Sequence, residues 1–139
     1  MHPVHPPENR GGKDVVIAVG ETITFERNFS KKDVELFSQI SGDEGIHHLE
    51  PDEQGRLVVQ GLLTATLPTK VGGDHNVLAR HMDFEFLRPV FTGDTIRSEV
   101  TISHFEQQEK RARITAPFSC TNQHGKEVLK GSFSGVILR

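Results

Sequence analysis

The second half of the chain consists of strand-like runs separated by short turns, and this pattern constrains the fold more than any other feature. The runs lie near 78–87, 95–105, 111–121 and 127–138. The turns between them contain Gly93-Asp94, Gln107-Gln108 and His124-Gly125. Consecutive strands joined by short turns pair in antiparallel fashion. An earlier run of β-branched and aromatic residues, 22–25, adds a further strand, so the sequence predicts an antiparallel sheet.

Apolar residues alternate with other residues along the third run, where Ile114, Ala116 and Phe118 occupy every second position. Alternation of this kind places one face of a sheet against the core. The segment apolar enough to cover that face is 61–71, which we expect to form a mostly buried helix. The sequence therefore predicts an α+β fold, in which a curved antiparallel sheet wraps around a central helix.

Glycine and proline set the expected limits of that buried helix. Gly72-Gly73 is typical of a helix C-terminus, so we expect the helix to end there. Pro68 lies inside the segment and lacks the amide hydrogen that a helix interior requires. A kink or an early end is therefore predicted at Pro68.

A second, shorter helix is predicted after the first strand. Ser30 and Asp33 have the spacing of a capping box, and Gly42 marks the end of the helix. The apolar residues that follow the cap at helical spacing are Val34, Phe37 and Ile40. This helix would deliver the chain to Asp43.

The length of 139 residues is typical of one domain. The first 13 residues contain three prolines and two glycines with hardly any apolar side chain. Such a segment buries too little apolar surface to offset the entropy lost on ordering. We therefore predict a disordered tail, 1–13, followed by a single domain, 14–139.

Composition argues against several classes of protein. The net charge is -3 and the basic residues are scattered, which argues against nucleic acid as a partner. No apolar run approaches the roughly 20 residues that span a bilayer, so we expect a cytoplasmic protein without a membrane partner. Cys120 is the single cysteine and lies in a strand-like run, so we expect a structural thiol and no internal disulfide.

The densest group of reactive side chains lies in a glycine-containing loop between the two helices. Its members are Asp43, Glu44, His47, His48 and Glu50. A carboxylate beside an imidazole can hold a water, which one group polarises while the other gives or takes a proton. Addition of water to a double bond requires groups that polarise a water and transfer its proton in this way. Adjacent histidines in an extended loop point apart and a convincing fourth ligand is lacking, so no metal site is predicted.

The segment from Phe37 to His48 reads Phe-Ser-Gln-Ile-Ser-Gly-Asp-Glu-Gly-Ile-His-His. It resembles the hydratase-2 motif of MaoC-like, R-specific enoyl-CoA hydratases. The resemblance implies that Asp43 and His48, five residues apart, are the catalytic pair. Glu50-Pro51 matches the acidic residue and the proline that follow the motif in this family.

Two further blocks resemble the same family. The block 58–63 is similar to the stretch that enters the central helix, which implies that the amide of Gly61 binds the thioester carbonyl. A glycine at a helix start lets an oxygen approach a bare N–H, where negative charge is stabilised. Thr69 falls where some relatives have a serine lining the site. The block 86–95 matches a family hairpin in which Gly93 supplies the turn geometry.

The chain also departs from the family pattern. Gly45-Ile46 replaces the usual Asn-Pro, and Gln60 replaces the histidine that commonly precedes the helix glycine. The stretch between His48 and Gly61 is shorter than is common in R-specific hydratases, where that region helps to shape the acyl pocket. We therefore expect the departures to affect the acyl substrate more than the type of reaction.

The resemblance spans about 21–138 and implies a hotdog fold and a lyase of fatty-acid metabolism. Such an enzyme interconverts 2-enoyl and (R)-3-hydroxyacyl thioesters of CoA or of a carrier protein, without a cofactor. A homodimer that pairs sheets edge to edge, or a dimer of such dimers, is also expected. Two alternatives remain open at this point: a hotdog acyl-CoA thioesterase with a similar groove, and a non-catalytic acyl-thioester-binding domain.

Overall fold

The computed structural model of the chain describes residues 17–138, so the predicted tail, 1–13, lies outside the described residues. The elements in chain order are β1 (Thr22–Asn28), α1 (Lys31–Ser41), α2 (Ile46–Leu49), α3 (Gly61–Thr64), α4 (Thr66–Asp74), β2 (Val77–Phe86), β3 (Thr95–Thr101), β4 (His104–Gln107), β5 (Arg111–Thr121) and β6 (Glu127–Leu138). Within 17–138, no helix combines the length and the apolar character needed to cross a membrane.

The strands form one antiparallel sheet in the order β1-β3-β5-β6-β2, with β4 also paired to β5. The apolar side chains of β5 that alternate along the strand are buried, as predicted. Most of them belong to the same hydrophobic core as Leu67 and Val71 of α4, which are also buried. The predicted α+β architecture, a curved antiparallel sheet around a central helix, is therefore confirmed.

The prediction of one uninterrupted strand at 95–105 is wrong, because the chain leaves the regular ladder at Ile102 and Ser103. Ile102 is buried and its amide donates to the Glu21 carbonyl, whereas the Ser103 amide donates to the Thr115 carbonyl. The backbone thus changes the neighbour to which it bonds between two consecutive residues. This change separates β3 from β4.

The predicted interruption of the central helix is present, but it lies at Ala65, three residues before Pro68. Pro68 has no amide hydrogen to donate to the carbonyl of Thr64, and its ring crowds that carbonyl. The helix therefore stops at Thr64 and restarts as α4. Pro68 falls in the first turn of α4, where a missing amide hydrogen costs little.

The prediction that the helix ends at Gly72-Gly73 is wrong, because α4 continues to Asp74. Gly72 is buried within the helix, where a Cβ would contact the ring of Phe133 at 3.9 Å. Asn76 adopts the left-handed conformation after the helix, with φ of 58°. Asparagine tolerates this conformation and ends the helix in the way that glycine commonly does.

The short helix α1 has the ends that the sequence predicts. The Ser30 hydroxyl accepts from the Asp33 amide, and the Asp33 carboxylate accepts from the Ser30 amide, which forms the capping box. Gly42 adopts φ of 74° and ends the helix, so that Asp43 follows directly. The expected apolar face is only partly buried, since Ile40 remains 84% exposed.

Candidate active site

Asp43 and His48 lie together at the end of α1 and in the single turn of α2. The Asp43 carboxylate oxygen Oδ2 is 3.6 Å from Nε2 of His48. His48 is 6% exposed, whereas Asp43 is 51% exposed. The imidazole is therefore fixed in the protein wall, and the carboxylate faces the solvent side of the pair.

The other ring nitrogen of His48 determines its tautomer. Nδ1 lies 2.6 Å from the carbonyl oxygen of Val58, which can only accept a hydrogen bond. Nδ1 therefore carries the proton and donates it to Val58. In the neutral ring Nε2 is then a bare acceptor, and it faces the Asp43 carboxylate. A water that donates one hydrogen to each acceptor would be held by both groups.

The backbone around the pair is held by short-range hydrogen bonds. The Asp43 amide donates to the Ser41 hydroxyl at 2.9 Å. The Val58 amide donates to the His47 carbonyl at 3.0 Å, and this hydrogen bond joins the two ends of the loop 49–57. Within that loop the pKa of the Asp52 carboxyl is lowered, because the carboxylate accepts hydrogen bonds from the Arg56 amide, the Arg56 side chain and the Gln54 amide.

A cavity of about 500 Å³ opens beside Asp43 and His48. Its wall is largely apolar and includes Val58, Leu62, Phe86, Pro89, Val90 and Val128. Gly61 also lines it, so three of the four site residues predicted from the sequence share one cavity. An apolar cavity with a few polar groups at one end suits a ligand with an apolar chain and a polar head.

Gly61 is the first residue of α3, and its amide therefore has no acceptor within the helix. The ring of Phe86 packs directly over it. A Cβ at this position would lie 2.7 Å from Cε1 of Phe86, which is shorter than any unstrained contact. A side chain at position 61 would therefore displace the Phe86 ring and restrict access to the amide.

Thr69 is not among the described residues that line this cavity. The Thr69 hydroxyl instead donates to the carbonyl of Thr66 at 2.9 Å, within α4. Thr64 lines the cavity in its place. No sequence motif indicated Thr64, although it lies three residues after Gly61 on the same face of the helix.

Gln60, which stands where the family commonly has a histidine, is completely buried. Its Nε2 donates to the Ser38 hydroxyl at 2.9 Å and to the Val34 carbonyl at 3.3 Å. The side chain therefore ties the start of α3 to α1. This residue positions Gly61 relative to the helix that precedes Asp43, a role that the sequence alone did not indicate.

The remaining polar residues of the loop differ in their relation to the pair. Glu44 and Glu50 are exposed. The His47 ring lies against that of His48, with centroids 3.9 Å apart and the ring planes tilted by 58°, and His47 lines the same cavity. Among residues 17–138, no three histidine, cysteine, aspartate or glutamate side chains are placed to hold a metal ion together.

No protein-family model matches the sequence. The chain is 28% identical over 123 residues to a 3-hydroxybutyryl-CoA dehydratase of Methylorubrum extorquens, a match that covers 81% of this chain and 75% of that protein. It is 24% identical over 131 residues to an (R)-specific enoyl-CoA hydratase of Rhodospirillum rubrum, covering 87% and 88% of the two chains. Both matches include the segment that contains the candidate pair and the helix glycine.

The fold is similar to that of the (R)-hydratase from A. caviae involved in PHA biosynthesis. The TM-score is 0.77 at 24% identity, and the match covers 88% of this chain and 98% of the other. The hotdog fold predicted from the motifs is therefore confirmed. The resemblance to MaoC-like dehydratases and R-specific hydratases is confirmed as well.

Proposed function

We propose that this chain, a relative of R-specific hydratases in sequence and fold, catalyses the reversible addition of water to a 2-enoyl thioester. The product is an (R)-3-hydroxyacyl thioester, and the reverse reaction is dehydration. The observation that carries the proposal is the His48 ring, fixed by Val58 with its bare Nε2 turned towards Asp43. This arrangement can hold and deprotonate a water at the polar end of an apolar cavity.

The substrate is an acyl-CoA or an acyl-carrier thioester, with its acyl chain in the cavity beside Leu62 and Phe86. Its carbonyl oxygen accepts a hydrogen bond from the free amide of Gly61. Because this carbonyl is conjugated with the double bond, the donor withdraws electrons from C3 and prepares it for attack. The same donor stabilises the negative oxygen of the enolate-like state that follows, and one such donor contributes ~10²–10³ in rate.

The water donates its two hydrogens to Nε2 of His48 and Oδ2 of Asp43, which directs its lone pair towards C3. As the C–O bond forms, Nε2 takes one proton from the water and the π electrons move to the carbonyl oxygen. The imidazolium is stabilised by the carboxylate 3.6 Å away. Collapse of the enolate then takes a proton at C2 from Nε2. His48 returns to its neutral form, and the site is ready for another water.

Conservative replacements of the pair test this proposal. Asp43→Asn keeps the shape of the side chain but removes the negative charge. His48→Asn keeps an N–H donor for the Val58 carbonyl but removes the base at Nε2. Each variant should lose ~10²-fold or more in kcat/KM for hydration of crotonyl-CoA, with a melting temperature close to that of the parent.

Glu44→Gln is the matched control, since Glu44 is an exposed carboxylate next to Asp43 in the same loop. It should keep full activity. Undiminished hydration in either variant of the pair would overturn the assignment. Release of free thiol from a saturated acyl-CoA would instead identify a thioesterase.

The proposal includes a homodimer, or a dimer of such dimers. The edge strand β2 is paired on one side, with β6, among the strands that the structure describes. The apolar side chains of Leu62 and Phe86, which line the cavity, are exposed. Association through this edge would cover both the strand and the apolar side chains. Light scattering should give the mass of a dimer or a tetramer, and a monomer would contradict this part of the proposal.

A further inference from the structure

Thr64, the last residue of α3, has a buried hydroxyl without a hydrogen-bond partner. The residue is 2% exposed, and Oγ1 finds no acceptor or donor among the side chains and backbone of residues 17–138. Thr64 also lines the cavity that holds Asp43, His48 and Gly61. A buried polar group without a partner is costly, and such groups are frequent where a ligand supplies the missing partner.

The neighbouring threonines show what a hydroxyl in this helical segment does when it has only a structural role. The Thr66 hydroxyl donates to the Leu63 carbonyl, and the Thr69 hydroxyl donates to the Thr66 carbonyl. Both hydroxyls thus donate to the backbone carbonyl three residues earlier, which is common for threonine in a helix. Thr64 makes no such bond. Its hydroxyl is therefore free for a partner outside the described chain.

The direction of the side chain follows from helix geometry. Side chains in a helix lean towards its N-terminus, so a residue covers the turn that precedes it. Thr64 therefore leans over the turn that starts at Gly61, three residues earlier on the same face. Gly61 and Thr64 both line the cavity. The residues that carry the free amide and the unpartnered hydroxyl thus lie on one stretch of its wall.

We propose that the Thr64 hydroxyl is a second hydrogen-bond donor to the thioester carbonyl oxygen, beside the Gly61 amide. This inference rests on the proposed function, because it assigns a further substrate contact in the same cavity. The hydroxyl hydrogen is donated to the oxygen that becomes negative as water adds to C3. A donor in a buried site stabilises that charge more strongly than it stabilises the neutral carbonyl, so its contribution is greater in the transition state.

An internal water shared with Gln60 is the alternative hydrogen-bond partner of the Thr64 hydroxyl. Oε1 of Gln60 is also buried without a partner in the described part of the chain, and it lies one helical turn before Thr64. Two such groups one turn apart could hold one water between them. In that case Thr64 would stabilise the fold without touching the substrate, and the experiment must separate the two roles.

The experiment compares Thr64→Val, which removes the hydroxyl at nearly constant shape, with Thr64→Ser, which keeps it. Thr66→Val is the control for the same substitution on the next helix. We expect Thr64→Val to lower kcat for crotonyl-CoA hydration by at least about 10-fold with a small change in KM. Thr64→Ser should recover most of this loss, and Thr66→Val should keep the parental kcat.

The second measurement is the Raman carbonyl stretch of bound butyryl-CoA, a saturated thioester that cannot be hydrated. Hydrogen bonds to the carbonyl lower this frequency, so Thr64→Val should move it back towards the value in water-free solvent, and Thr64→Ser should not. An unchanged frequency and an unchanged kcat, together with a lower melting temperature, would overturn the proposal in favour of the internal water.

The two measurements distinguish failure of this inference from failure of the proposed function. If the parental chain does not hydrate crotonyl-CoA but its bound butyryl-CoA responds to Thr64→Val, the contact stands and the hydratase assignment fails. If the parental chain hydrates crotonyl-CoA but the carbonyl frequency is the same in Thr64→Val, the Thr64 contact is refuted and the hydratase assignment stands. Absence of any butyryl-CoA binding by the parental chain would overturn both.

Discussion

Replacing Gly61 with alanine adds a single methyl group at the point where the cavity, the central helix and β2 meet. That methyl carbon would lie 2.7 Å from Cε1 of Phe86, 3.0 Å from Cδ1 and 3.1 Å from Cζ. Carbon atoms in favourable contact are about 3.5–4.0 Å apart, so the Phe86 ring must retreat by about 0.8 Å or more. Since Phe86 is 52% exposed, the ring can move outward without compressing the core.

The effect of Gly61→Ala on stability should therefore be small. Moving an exposed ring costs about 1 kcal/mol, at the low end of overpacking. Alanine gains about 0.5–1 kcal/mol over glycine within a helix, which largely offsets that cost. The melting temperature should stay within about 4 °C of the parent. Activity should fall much further, by about 10²-fold in kcat/KM, because the methyl and the displaced ring obstruct the approach of a carbonyl to the amide.

Gly73→Ala provides the matched control on the following helix. A Cβ at Gly73 meets nothing within 4 Å, so the substitution should raise stability by about 0.5–1 kcal/mol and leave activity unchanged. The assays are thermal melting and initial rates of crotonyl-CoA hydration. Full activity in Gly61→Ala would refute the placement of the thioester carbonyl at Gly61. A large drop in melting temperature would refute the argument that the Phe86 ring can move freely.

Three further outcomes follow from the geometry. Burial raises the pKa of the Cys120 thiol from its ordinary value of 9.0 to about 11. The stability that the buried thiol contributes is therefore present below pH 9 and is lost as the pH rises towards 11. The urea midpoint of unfolding should fall over this pH range, and it should fall less in Cys120→Ser than in the parent. Gly131→Ala would drive a Cβ into the carbonyl oxygen of Asp83, on the strand that pairs with β6. The free energy of unfolding in urea should therefore fall by at least about 3 kcal/mol, and a smaller effect would contradict the register of β2 and β6. Ser30→Ala removes one half of the capping box and should cost about 1 kcal/mol by the same measurement, whereas an unchanged midpoint would show that the cap does not stabilise α1.

The sequence was most informative where a local signal decides the structure. Glycine after a run of helical residues ended α1 at Gly42, and the spacing of Asp43 and His48 placed the two side chains together. Both depend on short-range geometry, which residue type and spacing largely determine. The cavity wall was less accessible to prediction, because Phe86 and Gly61 are distant in sequence and meet only through packing.

The errors of prediction also have physical causes. The strand break at Ile102 depends on which neighbour each amide bonds to, and a pattern of β-forming residues does not contain that information. The glycines at 72–73 suggested a helix end, but both adopt helical geometry and α4 continues to Asp74. The role of Thr69 stays a prediction, and Thr64, one turn of helix after Gly61, lines the cavity.

The loop 49–57 is closed at its base by the two contacts of Val58 with His47 and His48. Its outer part is tied to itself by Asp52 and Arg56, and Arg56 also lies 3.9 Å over the ring of Phe91. None of residues 49–57 belongs to the described cavity wall. Doubling the length of a flexible loop costs only about 0.6 kcal/mol in closure entropy. A peptide inserted at the tip of this loop, for labelling or immobilisation, should therefore leave the position of the His48 imidazole unchanged.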